Sequence, residues 1–219
     1  FIAKEIAEKL NYDWIFIKYT SNEFSKAFQS EDYKKYLDYC DSLTSIHFAG
    51  EYLMLNALKA NKKINNNAIF VNGQSGDFIS GNHMPNELIG LDQINKSNDE
   101  LFYKLYLKKH YKHWQETNTN EYKAIIISLL KKELEYLKDN NNFNYASAYE
   151  YMEFIDRQSK YVINGQRTYE YFGYDWRLPL WDNDYLDFWA EVDNKNKINQ
   201  NLYINTLKKY NWCGVWKAI

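Results

Sequence analysis

Ala68-Ile69-Phe70-Val71 runs directly into Asn72-Gly73-Gln74-Ser75-Gly76-Asp77. Four apolar residues, bounded upstream by Asn65-Asn66-Asn67 and downstream by a polar stretch with two glycines, read as a short buried strand that ends in a loop. In open α/β sheets, ligands bind beyond the carboxyl ends of the strands. Glycines at such a place let the backbone come close to a ligand and turn its amides toward an anion. Asp77 adds a hard oxygen ligand of the kind Mg²⁺ takes when it is bound to phosphates. The spacing fits neither the Walker A pattern nor the dinucleotide fingerprint, and a plain strand-to-helix turn would use the same residues.

Working outward, Trp14-Ile15-Phe16-Ile17-Lys18-Tyr19 is a second apolar run and is predicted to be a buried strand. Phe1–Leu10 reads as the end of an amphipathic helix. Thr20 and Glu23 have capping-box spacing and open a helix through about Tyr39. Ser45–Ala60 is helical, with Phe48, Tyr52, Leu55 and Leu58 on its apolar face. Past the loop everything reads as helix. A capping box at Ser97 and Glu100 leads into Leu101–Trp114, and Glu121–Lys138 carries a stripe from Tyr122 through Ile125, Leu129, Leu130 and Leu134 to Leu137. Tyr145–Tyr171 is helical and aromatic, Gly173–Leu180 is an irregular or extended connector, and Asp182 caps a final helix pair. This order predicts an α/β fold, mostly helical overall: a partial parallel sheet within residues 1–95, then an all-α extension over 96–219. Two buried strands make no stable sheet alone, so the remaining strands are expected upstream of Phe1 or from a partner.

Composition narrows the function classes. Only eight Gly and two Pro favour long helices over a many-stranded sandwich. With 27 basic against 29 acidic residues, the net charge of −2 gives no electrostatic case for a nucleic-acid partner. The widely separated Cys40 and Cys213 suit a reducing compartment. Phe1–Leu10 lacks a signal-peptide core, and runs such as Ala124–Ile127 are too short to span a bilayer. The expectation is a soluble, cytoplasmic protein with no membrane partner.

Basic residues are nearly all Lys, so the three Arg, at 157, 167 and 177, stand out. A guanidinium fork matches carboxylate or phosphate, and a buried ion pair is the plainer use of it. His110 and His113 lie three apart without the acid or thiol cluster that a metal site needs, and His83 reads as a surface residue. Asp182, Asp184 and Asp187 fit a helix N-terminus. The aromatic residues from Tyr145 to Phe172, Tyr151 and Phe154 among them, read as core, with sugar stacking as the alternative.

Three blocks carry a resemblance. Asn72-Gly73-Gln74-Ser75-Gly76-Asp77-Phe78-Ile79-Ser80-Gly81 resembles the Ser-Gly-Glu-Gly-Ala-Asp-Glu-Leu-Phe-Gly motif of asparagine synthetases. Asp156-Arg157-Gln158-Ser159 resembles that family's Asp-Arg-x-Ser segment, and Asp175-Trp176-Arg177-Leu178-Pro179-Leu180-Trp181-Asp182 its Glu-Ala-Arg-Val-Pro-Phe-Leu-Asp. The order agrees, over roughly Ala3 to Val192. The resemblance implies an ATP-pyrophosphatase synthetase domain of the adenine-nucleotide alpha-hydrolase-like (HUP) fold. It also implies an ATP-dependent amidotransferase that adenylates a small-molecule carboxylate and lets ammonia, or glutamine nitrogen from a glutaminase domain, attack it. By that likeness Asn72, Gly73, Ser75 and Gly76 would cradle ATP, Asp77 would hold Mg²⁺, Arg157 would support the active-site wall, and Arg177 and Asp182 would organise the helical part. A homodimer is compatible with it.

The departures are as specific as the matches. Where the family has a Glu in the first block, this chain has Gln74, and an amide is no general base. Phe154 takes the place of a frequent Lys, whose charge Lys160 could supply. Arg167 sits where the family spacing would put the third-block Arg. The pyrophosphate loop Ser-Gly-Gly-x-Asp-Ser and a Cys glutaminase would lie upstream of Phe1, and residues 1–219 alone are not expected to turn over ATP. These differences suggest a divergent branch such as those linked to surface-polysaccharide modification. They also leave two other readings: an inactive relative used as a binding or scaffold module, or another ATP pyrophosphatase such as a tRNA-thiolating enzyme.

Overall fold

The computed structural model describes residues 2–41, 48–112, 119–139 and 142–216. His47, His113, Trp114 and the predicted helix start at Ser45 lie outside them. The fold is mostly helical, at 69%. Helices α1 (Ile2–Lys9), α2 (Ser21–Phe28), α3 (Glu31–Cys40) and α4 (Ala49–Ala60) precede strand β1 (Ile69–Val71). A one-turn helix α5 (Gly76–Ile79) follows the loop, then α6 (Lys96–His110), α7 (Asn120–Lys138) and α8 (Tyr145–Glu153). The chain continues through a π-helix (Phe154–Ile163) and α9 (Arg167–Tyr171) into strand β2 (Asp175–Arg177), and closes with α10 (Asn183–Glu191), α11 (Asn194–Lys197) and α12 (Asn201–Tyr210).

Among the described residues the sheet has two strands. They run parallel, with Ile69 opposite Asp175, Phe70 opposite Trp176 and Val71 opposite Arg177. Three expectations change here. Strand β1 is not buried: Ile69 is 53% and Val71 68% exposed, because a two-stranded sheet packed on one side covers only the face that carries Phe70. Trp14–Tyr19 is not a strand: among the described residues no neighbour pairs with its backbone groups, and Phe16 is 72% exposed. An apolar run shows an affinity for a core, and a strand also needs a ladder partner. The connector Gly173–Leu180 has such a partner in β1 and supplies β2 despite its mixed sequence, so residues 96–219 are not an all-α extension: they contribute a strand to the sheet.

Helix boundaries follow local chemistry. The capping box at Thr20 forms as predicted: Thr20 N–H donates to Glu23 Oε2 and Glu23 N–H to Thr20 Oγ1. The single helix expected to Tyr39 is instead two, because Ser30 accepts from Tyr33 N–H at 3.1 Å while donating to Ala27 carbonyl at 2.7 Å, stopping one helix and starting the next. At α6 the cap is Asn95, accepting from Asn98 N–H at 2.9 Å, so Ser97 falls inside the helix and does not cap it. Asp182 caps α10 as expected, accepting from Asp184 N–H at 3.1 Å.

Three cores hold these elements. Tyr33, Tyr36 and Cys40 of α3 and Tyr52 and Leu55 of α4 pack with Tyr169, Phe172 and Tyr174 against Phe70 and Trp176 of the sheet. Phe102 and Tyr106 of α6, Leu130 and Leu134 of α7 and Tyr145 and Tyr149 of α8 form the second. Phe78 and Ile79 of α5 meet Trp189 of α10 in the third. Most of the aromatic run is core, as read. On α7 the predicted stripe divides: Leu134 is fully buried while Leu129 is 60% exposed. Leu134→Ala should therefore cost about 3 kcal/mol in urea unfolding, and Leu129→Ala less than about 0.5 kcal/mol. Equal losses at the two positions would contradict this packing.

Candidate functional site

The loop after β1 is held from both ends. Asn72 N–H donates to Arg177 carbonyl at 3.0 Å, extending the parallel ladder one residue past the strand. Its side chain makes the turn: Oδ1 accepts from Gln74 N–H at 3.0 Å, and Nδ2 donates to Tyr169 hydroxyl at 3.2 Å. Gly73 is exposed with open space where a Cβ would stand. Ser75 is buried in the left-handed region at φ 73°, a conformation that non-glycine residues rarely hold without support. A Cβ on Gly76 would stand 2.7 Å from Leu180 Cδ1, so glycine lets the Pro179–Trp181 turn pack closely on α5 without the Leu180 side chain having to move. That is a packing reason, independent of any ligand.

The second block meets this loop from the π-helix. Helices of i→i+5 bonding are rare and gather at functional sites. Here the wide turn presents Arg157 and Gln158 toward α5. Ser75 Oγ donates to the buried Gln158 Oε1 at 2.9 Å, and the Arg157 charge helps hold Asp77 low. Arg157 also lies over the Tyr161 ring at 5.5 Å. Lys160 Nζ stands 2.5 Å from Asp156 Oδ1, one turn back on the same exposed edge. Gln74 Oε1 accepts from the buried Gln166 Nε2 at 2.8 Å, which fixes its amide. Arg177 is exposed and donates to Trp176 carbonyl, and Arg167 lies over Tyr39, away from the loop. Of the two registers for the third block, it is Arg177 that stands beside β1.

What the sequence did not reveal is a charged cluster beneath Asp77. Glu153, the last residue of α8, has no exposure. Its Oε1 lies 2.8 Å from Lys109 Nζ and 2.7 Å from His110 Nε2, and its Oε2 lies 3.2 Å from His83 Nδ1. His83 Nε2 is in turn 3.2 Å from Asp77 Oδ2, and Gln158 Nε2 is 3.3 Å from His83 Nδ1. His83 is thus no surface histidine: its side chain is 15% exposed and bridges two carboxylates. The cluster could have been read from one signal. Glu153 continues the Tyr145, Tyr149 spacing, so a carboxylate occupies the next place on a buried stripe.

The electrostatics follow from this cage. Burial opposes ionisation of Glu153, but the close His110 imidazole, the hydrogen bond with His83 and the Lys109 charge outweigh it and hold the carboxyl well below the ordinary range. Burial likewise disfavours His83 cation, and the bonds to Asp77 and Glu153 raise its pKa above the ordinary value all the same. Asp77 is held low, first by the His83 bond. Another acid stands apart. Glu51 of α4 has a buried Oε2 without a hydrogen-bond partner among the described residues, and burial lifts its pKa to about 7. Its charge reaches both Tyr169, which receives Asn72, and Tyr161, beneath Arg157.

Among the described residues no three His, Cys, Asp or Glu side chains cluster as a protein-built metal cage. The donor set does fit a metal carried in on phosphates: Mg²⁺ binds through one or two carboxylates plus phosphate oxygens, and Asp77, with 54% of its side chain exposed, offers one such carboxylate. Arg157 adds a cation beside it. Among the described residues no helix is long and apolar enough to cross a membrane. Comparisons of the chain with protein families, with curated proteins and with solved structures return no match.

Glu153→Gln should lower stability by about 3 kcal/mol or more, since Lys109 and the two imidazoles around it lose a buried charge partner. The pH signature follows from its depressed folded value: its contribution is complete above the ordinary 4.5 and is lost as pH falls toward the folded value. Urea unfolding of the wild type from pH 7 to pH 3 should therefore fall more steeply than that of the variant. Parallel curves would exclude this role for Glu153.

Proposed function

We propose that the protein is the synthetase part of an asparagine-synthetase-like, ATP-dependent amidotransferase that activates a small-molecule carboxylate and transfers ammonia to it. The observation that supports this most is the meeting of three separated blocks. The strand of the third pairs with the strand that leads into the first, and the second is joined to the first by the Ser75–Gln158 bond, with the Arg157 charge also felt at Asp77. A loop beyond the carboxyl end of a parallel strand is where such folds bind ligands.

In this reading Asp77 would hold Mg²⁺ with the nucleotide phosphates, and bound Mg²⁺-ATP supplies the activating group. The chain's own residues do the positioning. Open space at Gly73 admits the phosphates against the backbone, Arg157 offsets their charge, and the His83–Glu153 pair fixes Asp77 from below. Preorganised charge of this kind needs no rearrangement as the reaction proceeds. Gln74 cannot take a proton from the attacking nitrogen, and its amide is held by Gln166.

The test is pyrophosphate release by the protein at its natural length, with ATP, Mg²⁺ and ammonium, over a panel of carboxylates that includes aspartate and carboxylated sugars. Carboxylate-dependent release supports the reading. Absence of release with every acceptor, together with no ATP binding by calorimetry, would favour the second reading, an inactive binding or scaffold module, for which the immobilised Gln74 amide is the specific support. Asp77→Asn should cut release by about 100-fold or more with the fold unchanged by circular dichroism, and Arg157→Lys should also lower it because an ammonium lacks the planar fork. Wild-type rates in either variant would remove that residue from the site.

A further inference from the structure

Behind α5, on the side away from Asp77, lies a cavity of about 440 Å³ open to solvent, within the range of small-molecule sites. Its walls come from α5, from α8 with the start of the π-helix, and from α10 with α11, so three separate stretches of the chain converge on it. Aromatic faces dominate: Phe78 and Trp189 are buried in the lining, Phe154 is partly buried, and Tyr151 stands 42% exposed at the mouth.

The polar groups decide what such a space would take. Lys197 is 1% exposed, and its ammonium, with three N–H donors, has one described partner, Glu150. The Trp189 indole N–H is buried, 4% exposed as a residue, and has no acceptor among the described residues. Donors without acceptors in a buried wall call for oxygen atoms on the occupant. The Lys197–Glu150 pair cancels its own charge, and Asp187 at the rim adds a negative one, so a phosphate or other anion is disfavoured. An ammonium ligand would suit Asp187 but would leave both donors unanswered. Asp187 and Asn183 can instead accept hydroxyl protons.

We infer that this cavity is a binding site for an uncharged, polyhydroxylated ring of monosaccharide size. The ring stacks its C–H face on Tyr151 and Phe154, gives acceptor oxygens to Lys197 and Trp189, and donates hydroxyls to Asp187 and Asn183. The site stands on these residues alone and does not depend on the amidotransferase reading. A ring seated there rests on Phe78 and Ile79, next to Asp77 in the chain.

The experiment is saturation-transfer NMR on the full chain with the methyl glycosides of glucose, galactose, mannose and N-acetylglucosamine, with glucuronate and glucosamine as charged controls. At least one neutral glycoside should receive saturation from the protein, and its affinity by tryptophan fluorescence titration should fall about fivefold to tenfold in Trp189→Phe, which keeps the ring and removes the N–H. Tyr151→Ala, at a half-exposed position that should leave folding intact, should weaken the same ligand. Three results would overturn the proposal: no saturation with any neutral glycoside, binding of the charged controls alone, or neutral binding unchanged in both variants while circular dichroism shows them folded.

Discussion

A carboxylate without contact to water stays ionised only where donors come to it, and Glu153 draws several segments of this chain together for that purpose. Lys109 and His110 come from the end of α6, His83 from the turn after α5, and Glu153 itself from the end of α8, where the backbone widens into the π-helix. Removing one member would leave charge uncompensated in a low-dielectric interior, which is far costlier than a lost surface ion pair. The arrangement therefore ties the helical core around Phe102 and Tyr149 to the loop after β1. Asp77, the outermost member, keeps its exposure while its orientation is set from within through His83.

The parallel pair β1–β2 acts on the same loop from the other side. It is three residues long in each strand and would not persist alone. The aromatic core of α3, α4 and α9 supports it, with Phe70 stacked on Tyr169 at 4.7 Å. The loop is thus suspended between an aromatic layer and a charged one. Ser75 can hold a left-handed backbone because Gln158 receives its hydroxyl and Gly76 admits Leu180 at close range. The charged cluster and the aromatic cavity lie on opposite faces of the four-residue helix α5, through Asp77 and through Phe78 with Ile79.

Local chemistry was legible in the sequence wherever a single residue controls it. Thr20 with Glu23 and Asp182 with Asp184 cap as their spacing says, and the apolar run into Asn72–Asp77 is a strand entering a loop. The misreadings have a common cause. Trp14–Tyr19 has the composition of a strand without a neighbour, and Asp175–Arg177 has a neighbour without the composition. Ser97 lost the cap to Asn95 because two candidates stood within two residues and only backbone geometry chose between them. The π-helix was invisible, since its residues are ordinary helix formers and the wider turn is imposed by what Gln158 and Val162 must bury.

The sequence by itself determined the predominance of helix, the caps at Thr20 and Asp182, the aromatic character of the cores and the place of the loop that carries Asp77, because each rests on periodicity or on bonds between residues a few positions apart. Tertiary structure alone decided that β2 completes the sheet, that His83 lies between Asp77 and Glu153 rather than in solvent, that Gln74 is held by Gln166, and that Trp189 and Lys197 face one cavity. Each of these joins residues many tens of positions apart. Their energy comes from excluding water around a pair of groups, and a one-dimensional pattern carries no record of which pair the fold will bring together.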